Sequence, residues 1–576
     1  MAAGEPSNRR FSRQAELWLV FLLTLASFAL RVHQIGFYSL SEDEAAKWQA
    51  IQEYRQGHFV AVNGEHPMLM KLLAWGSLSV GEQWNGLAMR YGWPTGAPEA
   101  WLRLPNVILG AATTFVLYLL ARSLLGSIGA LAAASFWAFS PLPIALNRLL
   151  KEETPLVFFS LLGCYFYLRA KEATKETQFQ KRLDLSAIGF GLSFASKYAP
   201  QLFGLNALAW YLAGRRGLDP RGGIGSRFPR FFVLIAITFL VCNPVVVVPA
   251  DVQSMLHWIR EGGAQHTGYN LAGTLYLNQP SLTQKTLPWY FYTWLLVVKT
   301  PIPVLLAILA GSLLLLRRRD SLISTFFLSF GLIQFVGLSV FPGKWIRYFL
   351  GALPFLFLAG GYAVQQLYEW LSRRSVAPRV FGLATVVVIG CACLELNFWD
   401  PYYSLYLNAL GGGASRSAQY FSPDEISELD ARETAEVVSR SAPPGARVAT
   451  SKPKSMSYYF ERDGRKDIQV IPLYDRDYAP KYGDLVLGED SRRYFETAEL
   501  LEWLRSSQLP HEDVRVGPVL ATTIYYFRRP APDGNHDYQN TTVLAGARTR
   551  TRPLLAGNMV AATKVAILRP AEGQRR

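Results

Sequence analysis

Three acids in succession, Glu42, Asp43 and Glu44, sit near the start of the stretch "SLSEDEAAKWQAIQEYRQGHFVAVNGEHPMLMKLL", residues 39–73. A long apolar block ends only a few residues earlier, so these acids lie where a chain leaves a membrane. Ser41 with Glu44 three positions on has the spacing of a capping box, in which each side chain satisfies a free backbone N–H. Acids also favour a helix N-terminus. Such a cap leaves Asp43 to face elsewhere, and an outward carboxylate within reach of a hydroxyl can act as a general base. A second acidic pair, Glu152 and Glu153, stands in "NRLLKEETPLVFF" between two apolar blocks. Its plain role would be to solvate a short turn. Lys197 in "GLSFASKYAP" and Lys344 and Arg347 in "FPGKWIRYFLGALP" each stand beside an aromatic near the end of an apolar block. Lys344 and Arg347 could simply snorkel to an interface. Lys197 lies between two short apolar segments, where an ionisable group is costly without a partner. His66 could pack, cap or touch a substrate. Lys299, beside Pro301 and Pro303, reads as structural, and His257 and His266 are weak contact candidates. No residues have metal-ligand spacing, so no metal and no cofactor is expected.

These residues must be positioned by membrane helices. The chain has 576 residues, half of them hydrophobic, gathered in blocks such as "LWLVFLLTLASFAL" and "FFVLIAITFLVCNPVVVV". Each approaches the ~20 residues that cross a hydrocarbon core. The fold class is therefore a polytopic α-helical membrane protein, with about eleven spans near 16–34, 104–124, 127–146, 154–170, 184–197, 200–214, 231–249, 290–316, 322–341, 348–370 and 380–396. "NRRFSR" before the first block resembles a signal-peptide start, but no small-residue cleavage site follows, so the block reads as a retained helix. Cys164, Cys242, Cys391 and Cys393 all lie in or beside apolar blocks and read as buried spacers.

The net charge of +15 does not point to nucleic acid. Its Lys and Arg cluster before the first span, around 169–182, around 215–230, at 317–319 and at 373–379. With eleven spans all of these fall on one side, which the positive-inside rule makes cytoplasmic. The N-terminus is then inside, in an inner or plasma membrane, and the C-terminus outside. The loops 35–103 and 250–289 face outward with everything after 397. Residues 1–396 form the membrane domain. Helix-like "DEISELDARETAEVVSRS" and "RYFETAELLEWLRSS" alternate with strand-like "ARVAT", "DIQVIPLY", "DLVLG" and "TTIYYFRR", which predicts a small soluble α/β domain within 397–530. A polar tail, 531–576, carries one more strand-like run, "KVAIL".

The succession Asp43-Glu44, Tyr54, Gly57-His58-Phe59, His66-Pro67 and Lys71 resembles the first outer loop of glycosyltransferase family 39. This group of C-type (GT-C) membrane enzymes contains the protein O-mannosyltransferases and aminoarabinose transferases. The likeness continues in order through "WLRLPNVILG", "NRLLKEETPLVFF", "GLSFASKYAP", "LPWYFYTWLLVVKTPIP", "FPGKWIRYFLGALP" and "DPYYSLYLNALGGG", roughly residues 15–413. It implies inverting transfer of one sugar from a polyprenyl-phosphate donor to a protein, lipid or glycan acceptor on the outer face. It also implies Asp43 as the base and Glu153 as the second catalytic acid, where the family more often has Asp. Glu44, His66, Lys197, Lys344 and Arg347 would bind substrate. A hydroxyl is a weak nucleophile that needs a base, and a departing phosphate needs cations. Two other classes stay open: a multi-pass transporter, whose charges should lie at the midplane of repeated halves, and a lipid-linked oligosaccharide transferase, suggested by the Trp-Asp of "NFWDPYY". No large domain separates the spans at 249 and 290, unlike eukaryotic O-mannosyltransferases, which favours a prokaryotic relative.

Overall fold

The computed structural model describes residues 12–59, 63–198, 228–249, 268–278, 286–318, 321–340, 343–374, 378–417, 428–475, 478–489, 495–517, 519–527 and 542–545, with a few residues between these ranges. α1 (Arg13–Val32) leads to α2 (Glu42–Arg55) and α3 (Met68–Tyr91). α4 (Pro98–Arg122), α5 (Ser127–Phe139), α6 (Pro141–Asn147), α7 (Glu153–Lys171), α8 (Glu176–Ser196) and α9 (Phe228–Cys242) follow. A hairpin of β1 (Gly268–Leu271) and β2 (Thr274–Leu277) precedes α10 (Phe291–Lys299), α11 (Ile302–Arg317), α12 (Leu322–Val340), α13 (Leu353–Arg373) and α14 (Pro378–Trp399).

Helices occupy every expected span except 200–214, which lies largely outside the described residues. Among the described residues, α1, α4 and α12 are each long and apolar enough to cross a membrane alone. α5 and α6 together make a fourth such segment, bent by 58°. α9 and α11 are apolar but shorter. The break between α10 and α11 follows from Pro301 and Pro303, which cannot continue a helix. Small residues let the bundle close. A Cβ on Gly189 of α8 would lie 2.9 Å from the backbone of Gly163 on α7, and one on Gly311 of α11 would strike Ala359 O of α13. Such contacts bring membrane helices together where no water drives them. Lys299 is structural, as expected: its buried ammonium donates to Ser404 O and Tyr406 O at 2.7 and 3.1 Å.

The second half of the chain ends in a sheet. α15 (Ala431–Ser441), β3 (Arg447–Thr450), α16 (Pro453–Arg462), β4 (Gln469–Pro472), β5 (Leu485–Glu489), α17 (Phe495–Ser506), β6 (His511–Val516), β7 (Val519–Tyr526) and β8 (Thr542–Ala545) form an α/β unit with strand order β4-β3-β5-β7-β6-β8. β3 runs parallel to β4 and β5, and β7 runs antiparallel to β5 and β6. Every strand quoted from the sequence in 446–529 forms. Of the expected helix at 424–441, residues 424–427 lie outside the described residues; the helix runs from Ala431, with Asp430 just before it turned inward to Lys452, Thr434 and Thr522. β6 and β8 were not foreseen, and "KVAIL" lies outside the described residues. One apolar core joins the two halves: Leu40, Ile51, Met70, Leu102 and Leu150 pack with Val448, Tyr459, Phe460, Leu485 and Ile524.

Candidate active site

The loop that follows α1 is fastened by two buried arginines. Arg148 donates to His33 O and Gln34 O at 2.8 and 3.0 Å. Arg103, from α4, donates to Ile35 O, Tyr38 O and Ser39 O. Its remaining N–H groups make a bidentate pair with Glu44, at 2.8 and 2.7 Å. The capping box forms as the spacing predicts, with Ser41 N donating to Glu44 and Glu44 N to Ser41 Oγ. Leu150 N donates to the other Glu44 oxygen at 2.8 Å. Burial disfavours the Glu44 charge, but Arg103 and these hydrogen bonds outweigh it and hold the carboxyl down to about 2. Glu44, expected at the substrate, is fully buried among these partners and ties α2 to α4.

Asp43 faces the other way. Its Oδ2 is paired with Lys151 and lies 3.6 Å from the Arg347 guanidinium. The same guanidinium lies 3.6 Å from Glu153 Oε1, which is also paired with Lys197. Arg347 thus bridges two carboxylates, with Lys151 at one end of the row and Lys197 at the other. Aromatic rings flank the cations: Lys197 Nζ lies 4.2 Å from the centroid of Tyr348, and Arg347 lies over Trp345 and Tyr348. Asp43, Arg347 and Lys197 keep partial solvent access, at 31%, 20% and 19%, while Glu153 is buried.

The turn that presents Glu153 is set by Asn106 of α4, whose amide donates to Leu149 O and Lys151 O. This aims Lys151, Glu152 and Glu153 at the start of α2. Beside them a second cluster forms: Lys47 Nζ lies 2.8 Å from Glu152, and His66 Nδ1 lies 3.9 Å from the same oxygen. Burial outweighs Glu152 and keeps the His66 imidazole below its ordinary value. Burial likewise lowers the Lys151 ammonium, despite Asp43.

Asp43, Glu153, Lys197 and Arg347 therefore converge, with His66 beside the neighbouring Lys47–Glu152 pair. Lys344 is buried with its backbone N–H on Asn278 and its ammonium 3.4 Å from Leu287 O, so its described contacts run to the β2 side. His257 and His266 lie outside the described residues. Sequence reasoning missed Lys151 and Lys47. Lys151 directly precedes the acidic pair, and Lys47 stands four residues after Asp43 on the same helix face, which was a usable signal. The Asp400 of "NFWD" lies 3.1 Å from His33 and 4.0 Å from Arg148. Among the described residues no group of three His, Cys, Asp or Glu could hold a metal ion.

Residues 95–247 match the family model described as "Dolichyl-phosphate-mannose-protein mannosyltransferase". That segment carries Arg103, Lys151, Glu152, Glu153 and Lys197. No curated protein matches the chain in sequence. Among solved structures the chain is similar to ArnT from Cupriavidus metallidurans bound to undecaprenyl phosphate. The TM-score is 0.51 and the identity 12%, over 90% of this chain and 100% of that one. It is also similar to the Archaeoglobus fulgidus oligosaccharyltransferase tethered to an acceptor peptide. There the TM-score is 0.50 and the identity 12%, over 80% of this chain and 64% of that one. Residues 95–247 are thus similar to that glycosyltransferase family, and most of the chain shares the helical membrane fold of these solved structures.

Proposed function

We propose that the protein transfers a single sugar, with inversion, from a polyprenyl-phosphate donor to an acceptor hydroxyl on the outer face of the membrane. The observation that carries this reading is the row Lys151–Asp43–Arg347–Glu153–Lys197. Asp43, the more accessible carboxylate, takes the acceptor proton as its oxygen attacks the anomeric carbon. The bond from that carbon to the phosphate oxygen breaks, and the carrier leaves as polyprenyl phosphate. Arg347 and Lys197 compensate the growing negative charge on the phosphate, as fixed cations do where charge develops. Lys344 supports the chain segment that carries Arg347. Glu153 holds both cations in place, and its extra methylene relative to Asp lets it reach them from the start of α7.

The eleven-span topology, with residues 1–396 in the membrane and the α/β domain outside, belongs to the same proposal. An acceptor identity is not built into it; a protein, a lipid or a glycan hydroxyl all satisfy the chemistry.

Glycan profiling of a deletion strain identifies the missing sugar. The purified protein in nanodiscs is then assayed with that sugar on undecaprenyl phosphate. Asp43→Asn should lower turnover by ~10²–10⁴-fold, the usual worth of general-base assistance, while undecaprenyl phosphate still binds. Near-normal turnover by Asp43→Asn would remove it from the reaction.

A further inference from the structure

α16 begins without a cap of its own. Lys452, at its N-cap position, makes no side-chain bond to the first turn and instead pairs with Asp430 at 2.9 Å. A helix start leaves N–H groups unsatisfied and favours a negative charge. Here Glu42 supplies both, from 412 residues earlier in the chain. Lys454 N donates to its two oxygens at 3.0 and 2.9 Å, and Ser455 N and Oγ donate at 3.0 and 3.1 Å. The backbone of the same residue is also gripped, since Glu42 N donates to Glu428 Oε2 at 2.7 Å. The preceding residues are bound to the same domain: Leu40 N donates to Tyr459 Oη at 2.7 Å, and Arg432 donates to Gly36 O and Tyr38 O. Asp43 therefore stands between one neighbour clamped by the α/β domain and another clamped by Arg103.

We infer that Glu42 is a positioning residue, through which the C-terminal α/β domain holds the Asp43 carboxylate at the reaction centre without touching substrate. The inference rests on the reading of Asp43 as the base. A displacement of about 1 Å at a reacting group can cost ~10²-fold in rate, so a domain far from the chemistry in sequence becomes part of its geometry.

The test uses the full chain in nanodiscs. Sugar transfer and undecaprenyl phosphate binding are measured together, and amide exchange is followed at Lys454 and Ser455. Glu42→Gln keeps one acceptor oxygen and loses the charge; Glu428→Gln loosens the backbone grip. Each should slow turnover by ~10–100-fold, leave carrier binding at the wild-type value and speed exchange at the start of α16. In an Asp43→Asn background neither should slow the residual rate further, because no base remains to be aimed. Unchanged turnover in Glu42→Gln overturns the proposal. So does a full additional loss in the Asp43→Asn background, or loss of carrier binding, either of which assigns Glu42 to substrate contact or to general folding. Full activity of Asp43→Asn alone would defeat the base reading and the positioning role with it. Should Glu42→Gln not accumulate, Glu42→Asp, which keeps the charge on a shorter arm, serves for the same comparison.

Discussion

Three adjacent acids of one type have three separate tasks: Glu42 closes a distant helix, Asp43 faces the cations, and Glu44 ties α2 to α4. The capping box was legible in the sequence because it is a local pattern of four residues. The pairing of Glu44 with Arg103 was not, since nothing local links two positions 59 residues apart. That difference changes an expectation. A Gln could close the cap, but in place of Glu44 it leaves the fully buried Arg103 guanidinium without its counter-charge. Breaking a buried pair from one side typically costs about 3–5 kcal/mol. Glu44→Gln should therefore melt well below the wild type in detergent. Equal melting temperatures for wild type and Glu44→Gln would mean that the pair contributes nothing. Lys151 and Lys47 escaped notice for a related reason, because each pairs with a carboxylate of the other acidic stretch, Asp43 and Glu152.

At the scale of elements, apolar blocks fixed the helices well, since burial in lipid demands long runs that stand out from the rest. The strands with apolar centres, such as "DLVLG", were equally plain. β6, "HEDVRV", was not, because only Val514 and Val516 face the core and the rest of the strand is polar. The ends of elements carry the charged row: α2 and α7 begin at the carboxylates, α8 ends at Lys197, and the 346–351 turn carries Arg347. Hydrogen bonds to a charged group are worth about 1.5–3 kcal/mol. Lys197→Met and Arg347→Met should accordingly each weaken undecaprenyl phosphate binding by ~10-fold or more when no acceptor is present. Wild-type affinity in both variants would leave these residues as interfacial anchors.

For the whole molecule, the basic loops make a prediction about sidedness. In a background lacking Cys164, Cys242, Cys391 and Cys393, Thr174→Cys and Glu461→Cys should react with an impermeant maleimide from opposite faces of the membrane. Reaction from the same face would put the helix count in error, most directly within 184–214. The contact between the halves should also respond to pH. Burial against the 36–44 segment raises the Glu433 carboxyl to about 7, with Asp430 adding to the rise and Arg432 opposing it. A carboxyl raised in the folded state favours folding in its protonated form. Its contribution is whole below the ordinary carboxylate range and fades as pH climbs through about 7. Resistance of the α/β domain to trypsin should fall from pH 5 to pH 8, and Glu433→Gln should flatten that slope. An identical slope in the variant would acquit Glu433. The domain itself was legible as strands and helices, but its seat was not, because the residues that hold it come from the far end of the chain. Glu99 shows this best. Its fully buried Oε1 accepts from Arg432, Arg462 and Tyr459, all of the C-terminal domain. The two parts consequently fit each other as a matched set. A chimera that exchanged residues 428–527 between related enzymes would bring foreign donors to Glu99 and Glu42, and the graft would take only if both acids, or substitutes for them, travelled with it.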